Sequence, residues 1–186
     1  PLRLVGSEMC IRDRYHIFLT RDIQTAKNWV RQMTRGNERC GLFTTALSHR
    51  LWPEGIVKRG QREFDELGWW LDDEKYIDSS FSLEIPCTEF FSQGLELDWS
   101  IFGWDACLRP RGDDWEYLRF RRYRWEKIND EKKQRYLKNA FRVLLTRARQ
   151  GMIIFVPKGD NNDPTRLPKF YDGIYIFLKE IGIQEI

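Results

Sequence analysis

Asn-Ala-Phe-Arg-Val-Leu-Leu-Thr-Arg-Ala-Arg-Gln-Gly-Met-Ile-Ile-Phe-Val-Pro, residues 139–157, decides the architecture of this chain. Ala140, Phe141, Leu144, Leu145 and Ala148 fall at helical spacing among strong helix formers, which predicts a helix from about residue 131 to Arg149. Asn129 or Asp130 can cap it, and Glu131 complements the dipole in its first turn. Residues 152–156 form a short apolar run closed by Pro157, the pattern of a buried strand. A helix running into a buried strand is a unit of a layered α/β domain. Arg147 falls on the margin of the apolar stripe, where a charge requires a partner because burying it alone is costly.

The segments before this stretch repeat the theme. Residues 15–20 read as a strand, and Asp22 caps a helix with Ile23, Ala26, Val30 and Met33 on one face, stopped by Gly36. Residues 40–46 read as a second strand, followed by a helical turn through Arg50 and a break at Pro53-Glu54-Gly55. Strand, helix and strand in this order suggest parallel pairing. Residues 59–70 read as partly helical and 72–80 as a loop. Residues 83–88 and 97–104 read as further strands, 108–114 as a loop and 115–125 as a strand or hairpin arm. Residues 158–168 read as a loop and 170–181 as a closing amphipathic helix.

Composition fits one soluble globular domain: 186 residues, 41% hydrophobic and 32% charged. A net charge of +3 permits a nucleic-acid partner without requiring one. Cys10, Cys40, Cys87 and Cys107 lack metal-ligand spacing, and free thiols in a reducing cytoplasm are expected. No apolar run approaches the roughly 18 residues of a membrane span. Residues 1–14 have no clean period and resemble a translated sequencing-adapter remnant. They are read as a non-native tail on a truncated frame, leaving residues 15–186 as the domain.

Four segments could carry chemistry. Residues 36–41, Gly-Asn-Glu-Arg-Cys-Gly, have the glycine spacing of a phosphate loop, but Leu42-Phe43 stands where Lys-Ser/Thr is required. They are read as a helix stop and a turn. Residues 88–98 place Gln93, Gly94 and Glu96 in a turn between two strands, where a ligand crevice or plain solvent could lie. Thr146 and Arg147 present a guanidinium suited to phosphate, or to an ordinary ion pair. Arg119-Phe120-Arg121-Arg122-Tyr123-Arg124-Trp125 could contact phosphates and stack bases, or form a solvated strand face with local ion pairs.

Ser-Gln-Gly-Leu-Glu-Leu-Asp-Trp (residues 92–99), followed by Val-Leu-Leu-Thr-Arg-Ala-Arg-Gln-Gly-Met (residues 143–152), resembles motifs V and VI of superfamily-one DNA/RNA helicases. In particular the chain resembles the Schlafen group-three-like helicase domain family, with similar flanks in Leu19-Thr20-Arg21-Asp22, in residues 50–56 and in residues 163–172. The resemblance implies a RecA-like α/β domain with a mostly parallel sheet, the second of two domains that clamp ATP and Mg²⁺ between them. It implies that Arg147 is an arginine finger. It also implies that Gln93, Gly94, Glu96 and Thr146 face the nucleotide, with Arg50 a weaker phosphate contact. The phosphate loop and the metal-binding acid would belong to a missing N-terminal RecA-like domain, so this chain alone would be inactive. The partner would be DNA or RNA. The alternative is a non-catalytic module that binds nucleic acid or protein.

Overall fold

The computed structural model describes residues 15–60, 62–112 and 114–186. Cys10 and the adapter-like segment lie outside them. Five parallel strands form the main sheet: β1 (His16–Thr20), β2 (Cys40–Thr44), β3 (Leu97–Gly103), β7 (Ala148–Phe155) and β8 (Gln184–Glu185), in the order β2-β3-β7-β1-β8. A second, antiparallel sheet joins β4 (Leu108–Arg111), β5 (Asp114–Arg121) and β6 (Arg124–Lys127). The helices are α1 (Ile23–Met33), α2 (Glu66–Leu71), α3 (Glu131–Leu144) and α4 (Lys169–Glu180).

Alternation along the strands builds two cores. In β7, Ile153 and Phe155 join Leu42, Trp99 and Ile101 beneath Ile23, Ala26 and Val30 of α1. Met152 and Ile154 face the other way, in one cluster with Phe102, with Leu137, Phe141 and Leu144 of α3, and with Ile174 and Leu178 of α4. Helices therefore cover both faces, the arrangement that keeps an all-parallel sheet dry. Asp22 caps α1 by accepting from the backbone N–H groups of Gln24 and Thr25, and Asp130 caps α3 through those of Lys132 and Lys133. The fold is the expected mostly parallel α/β layer, consistent with a RecA-like domain.

Several boundaries differ from the sequence expectations. The helix does not reach Arg149. It ends at Leu144, and the Thr146 hydroxyl donates to the carbonyl oxygens of Arg142 and Val143. Ala148 already belongs to β7, which pairs with β3 from Leu97 onward. Strand pairing thus takes over residues whose helical spacing was real, and Arg147 lies in the link between the two elements. Residues 83–88 form no strand: Pro86 offers no donor, and only Cys87 bridges to Phe43. Residues 108–111 do form a strand, because β4 is an edge where Pro110 costs no ladder bond. Consecutive β1 and β2 are parallel but not adjacent, since β3 and β7 lie between them.

Candidate functional site

All main-sheet strands run the same way, so the sheet has one amino edge and one carboxyl edge. At the amino edge the backbone N–H of Leu97 donates to the Arg147 carbonyl oxygen at 2.8 Å. That bond fastens the turn before β3 to the link before β7. The Arg147 guanidinium Nη1 reaches the Leu95 carbonyl oxygen at a long 3.4 Å, and its buried Nε has no partner. No acid pairs with it among the described residues.

Other part-buried arginines are treated differently. Arg21, Arg50, Arg109 and Arg166 pair with Asp172, Asp163, Glu116 and Glu54. Arg39 lies against the rings of Trp70 and Phe81 and donates to the Trp70 carbonyl. Among the described residues Arg147 has neither an acid nor a ring, which leaves its charge available to an anion arriving from outside.

The turn beside it is tightly wound. Phe91 and Ser92 N–H groups donate to Thr88, and Leu95 donates to Ser92. Gly94 has φ +79°, with no atom within 4 Å of where a Cβ would stand. Backbone conformation, not crowding, therefore requires the glycine there. Gln93, Gly94 and Glu96 are exposed, and neither side chain takes a protein partner among the described residues. Gln93 also lines a groove of about 810 Å³ between α3 and residues 46–47 and 89–93, walled by Leu137, Ala140 and Val143.

A polar clamp that sequence reasoning missed fixes this edge. Asp98, buried in β3, accepts from the Arg39 backbone N–H at 2.8 Å, from Arg149 Nη2 at 2.9 Å and from Gln150 Nε2 at 3.2 Å. Glu38 accepts from Gln150 Nε2 at 2.7 Å and from the Trp99 indole N–H at 2.9 Å. The Gln150 bond, then those of the Trp99 indole and the Arg35 N–H, hold the Glu38 carboxyl below its ordinary range. The available signal was Asp98 itself, an acid between Leu97 and Trp99 in an apolar strand, which burial forces to find donors.

Thr146 stands beside Arg147, with its hydroxyl engaged at the end of α3. Arg50 does not join the group. It lies at the carboxyl edge, where Nη2 pairs with Asp163 at 2.6 Å and the backbone N–H donates to Asp105 at 2.8 Å. The Gln93 turn does not lie between two strands as expected: no strand precedes it in residues 83–88, and it leads into the amino end of β3. Buried polar groups brace the carboxyl edge around Asp105. Asp105, its carboxyl raised by burial, also accepts from Ala106 N–H and from the Tyr171 hydroxyl. Beside it burial lowers the Lys58 amine to about 8 and pushes the Cys107 thiol up to about 12.

Residues 4–158 match the family described as Schlafen group 3, DNA/RNA helicase domain. The chain belongs to that family. No curated protein and no solved structure matches it. This Schlafen-type helicase domain carries both turns of the amino edge, residues 93–96 and 145–147, inside the matched segment, whereas α4 lies beyond it. Membership gives the chain a helicase-related role. No described helix is long and apolar enough to cross a membrane.

Proposed function

We propose that this chain is the second motor domain of an ATP-dependent DNA or RNA helicase or translocase, with Arg147 as its arginine finger. The observation that carries the reading is an acid-free, half-buried arginine bonded through its own carbonyl to the turn that displays Gln93, Gly94 and Glu96. A guanidinium is permanently charged and bidentate, which suits the equatorial oxygens of a transferring phosphoryl group. Gln93, Gly94, Glu96 and Thr146 would face the nucleotide beside it. The Asp98 and Glu38 clamp would hold both turns in place while the guanidinium does its work.

These residues fit a phosphate contact and not a complete nucleotide site. The one segment with phosphate-loop glycine spacing ends at Gly41 in β2. There a Cβ would stand 2.8 Å from Leu97 Cδ1 and 3.0 Å from the Trp69 ring, so that glycine serves packing. ATP and Mg²⁺ would therefore be held mainly by an N-terminal RecA-like domain, with the nucleotide supplying the bond whose hydrolysis drives domain movement. Arg50, held by Asp163, is best read as a brace of the carboxyl edge.

The test is ATP hydrolysis by the complete protein with and without single-stranded DNA or RNA, beside this chain alone. Hydrolysis stimulated by nucleic acid in the complete protein, and none by the chain, is expected. A complete protein that never hydrolyses ATP overturns the motor reading. It leaves the second reading, a non-catalytic nucleic-acid-binding module, which the exposed β5–β6 hairpin favours.

A further inference from the structure

The β5–β6 hairpin reaches from the groove beside Gln93, where Arg119 and Lys127 lie, to a tip beside Arg50. Its turn residues Arg122 and Tyr123 have φ of 49° and 63°. Two left-handed residues in a two-residue hairpin turn favour Asn-Gly, so turn geometry does not explain an arginine and a tyrosine here. The hairpin is fastened one residue pair from its turn. Trp125 Nε1 donates to the Thr165 carbonyl at 2.8 Å, Phe120 meets the Trp125 ring edge-on at 5.3 Å, and the Arg50 guanidinium covers Phe120 at 5.1 Å. The tip is thus a held feature with its side chains outward.

Among the described residues the Arg122 and Tyr123 side chains have no hydrogen-bond, ion-pair or ring partner. Tyr123 is 88% exposed, and Trp52, on the short 3₁₀ turn Trp52–Glu54, is 58% exposed. Between them lies an opening of about 440 Å³, lined also by His49, Arg121 and Arg122. Among the described residues neither Arg121 nor Arg122 is ion-paired, while Arg119 and Arg124 share Glu126.

We propose that this opening is a stacking cleft for single-stranded nucleic acid. Trp52 and Tyr123 offer faces to an unpaired base, and Arg121 and Arg122 take the flanking phosphates. Every base has a π-face, so such a cleft tolerates sequence. In a duplex the bases are already stacked and cannot enter. An acidic peptide would satisfy the arginines but leave two exposed rings with nothing to stack on. The choice of ligand rests on the nucleic-acid reading of the domain, and the cleft serves the motor and the non-catalytic module alike.

Labelled oligothymidine and oligouridine, titrated with the 186-residue chain and followed by anisotropy, test this. Trp52→Ala and Tyr123→Ala should each weaken binding by about 5- to 150-fold, while Trp52→Phe and Tyr123→Phe retain most of it. Arg121→Ser and Arg122→Ser should each flatten the logarithmic salt dependence by about 0.7. All these positions are exposed, so unchanged thermal unfolding confirms that each variant folds. Three results overturn the cleft: no single-strand binding by the wild type, unchanged affinity in the variants, or competition by polyglutamate as strong as by oligonucleotide. Unchanged variant affinity together with nucleic-acid-stimulated ATP hydrolysis in the complete protein sinks the cleft and spares the motor reading. Weakened variants without any ATP hydrolysis do the reverse.

Discussion

Replacing Gly151 with alanine should destabilise the domain through a contact that the backbone cannot relieve. Gly151 lies in β7 between two neighbours, paired with His16 of β1 and Trp99 of β3. A Cβ there would stand 2.6 Å from the His16 carbonyl oxygen and 2.8 Å from Trp99 Cζ3. The first distance is about 0.7 Å inside even a close C···O contact of ~3.3 Å. Neither neighbour can yield easily. The carbonyl belongs to a central ladder, and Trp99 is stacked on His16, edge-on to Trp29 and bonded to Glu38. Overpacking of this kind costs about 1–3 kcal/mol, and the stiffer unfolded chain returns about 0.4–1. With backbone as the obstacle, a net loss of about 2 kcal/mol is expected, or ~4–8 °C in Tm at this chain length. Urea and thermal unfolding measure it. Gly173→Ala is the control: it lies inside α4, where a Cβ would meet only the Pro110 ring at 3.4 Å, and it should stabilise by about 0.5–1 kcal/mol. Equal effects from the two substitutions would refute the close approach of β1 and Trp99 to β7.

Other outcomes follow from the polar groups. Asp98→Ala leaves the donors of Arg39, Arg149 and Gln150 without their acceptor and should cost about 2–4 kcal/mol in urea unfolding. A near-neutral result would mean that the clamp is not formed in solution. Lys58 has its amine lowered to about 8, so between pH 8 and 10.5 the unfolded chain holds the proton that the folded one has released. This group alone adds up to about 3 kcal/mol of stability through that window, while the Cys107 thiol, pushed up to about 12, acts in the opposite sense above its ordinary range. The stability difference between the unaltered protein and Lys58→Met should therefore change by that amount across the window, and a pH-independent difference would contradict the assignment. Tyr171→Phe removes one donor from buried Asp105 and should cost about 1 kcal/mol, a loss that calorimetry would register. No change there would argue that the hydroxyl does not reach Asp105.

The sheet was legible where side-chain period and burial agreed. Residues 15–20, 40–46 and 97–104 read as strands from apolar runs, and Asp22 and Asp130 marked helix starts that the structure keeps. Boundaries failed where long-range pairing outweighed local pattern. Helical spacing through Ala148 and Arg149 was overridden because β3 offered Leu97 and its successors as ladder partners. Pro110 signalled a loop, but only the topology reveals that its strand is an edge. At the candidate site, Gln93, Gly94, Glu96 and Arg147 were singled out from the sequence, whereas the clamp was not. Glu38, Asp98, Arg149 and Gln150 are scattered along the chain and meet only when β2, β3 and β7 align. The placement of Arg50 at the far edge depends on the same alignment.

Arg147, whose charge meets no acid among the described residues, is proposed to serve a phosphoryl group, and comparison with its neighbour Arg149 tests that role. ATP turnover is measured in the complete protein bearing Arg147→Ala or Arg149→Ala, together with nucleotide affinity. Arg149 is ion-paired with Asp98, so its loss should act through stability and lower turnover only modestly. Loss of Arg147 should cut turnover by about 10³–10⁵ while nucleotide binding stays largely intact. Wild-type turnover in Arg147→Ala, or equal losses in the two variants, would rule out an arginine finger at this position.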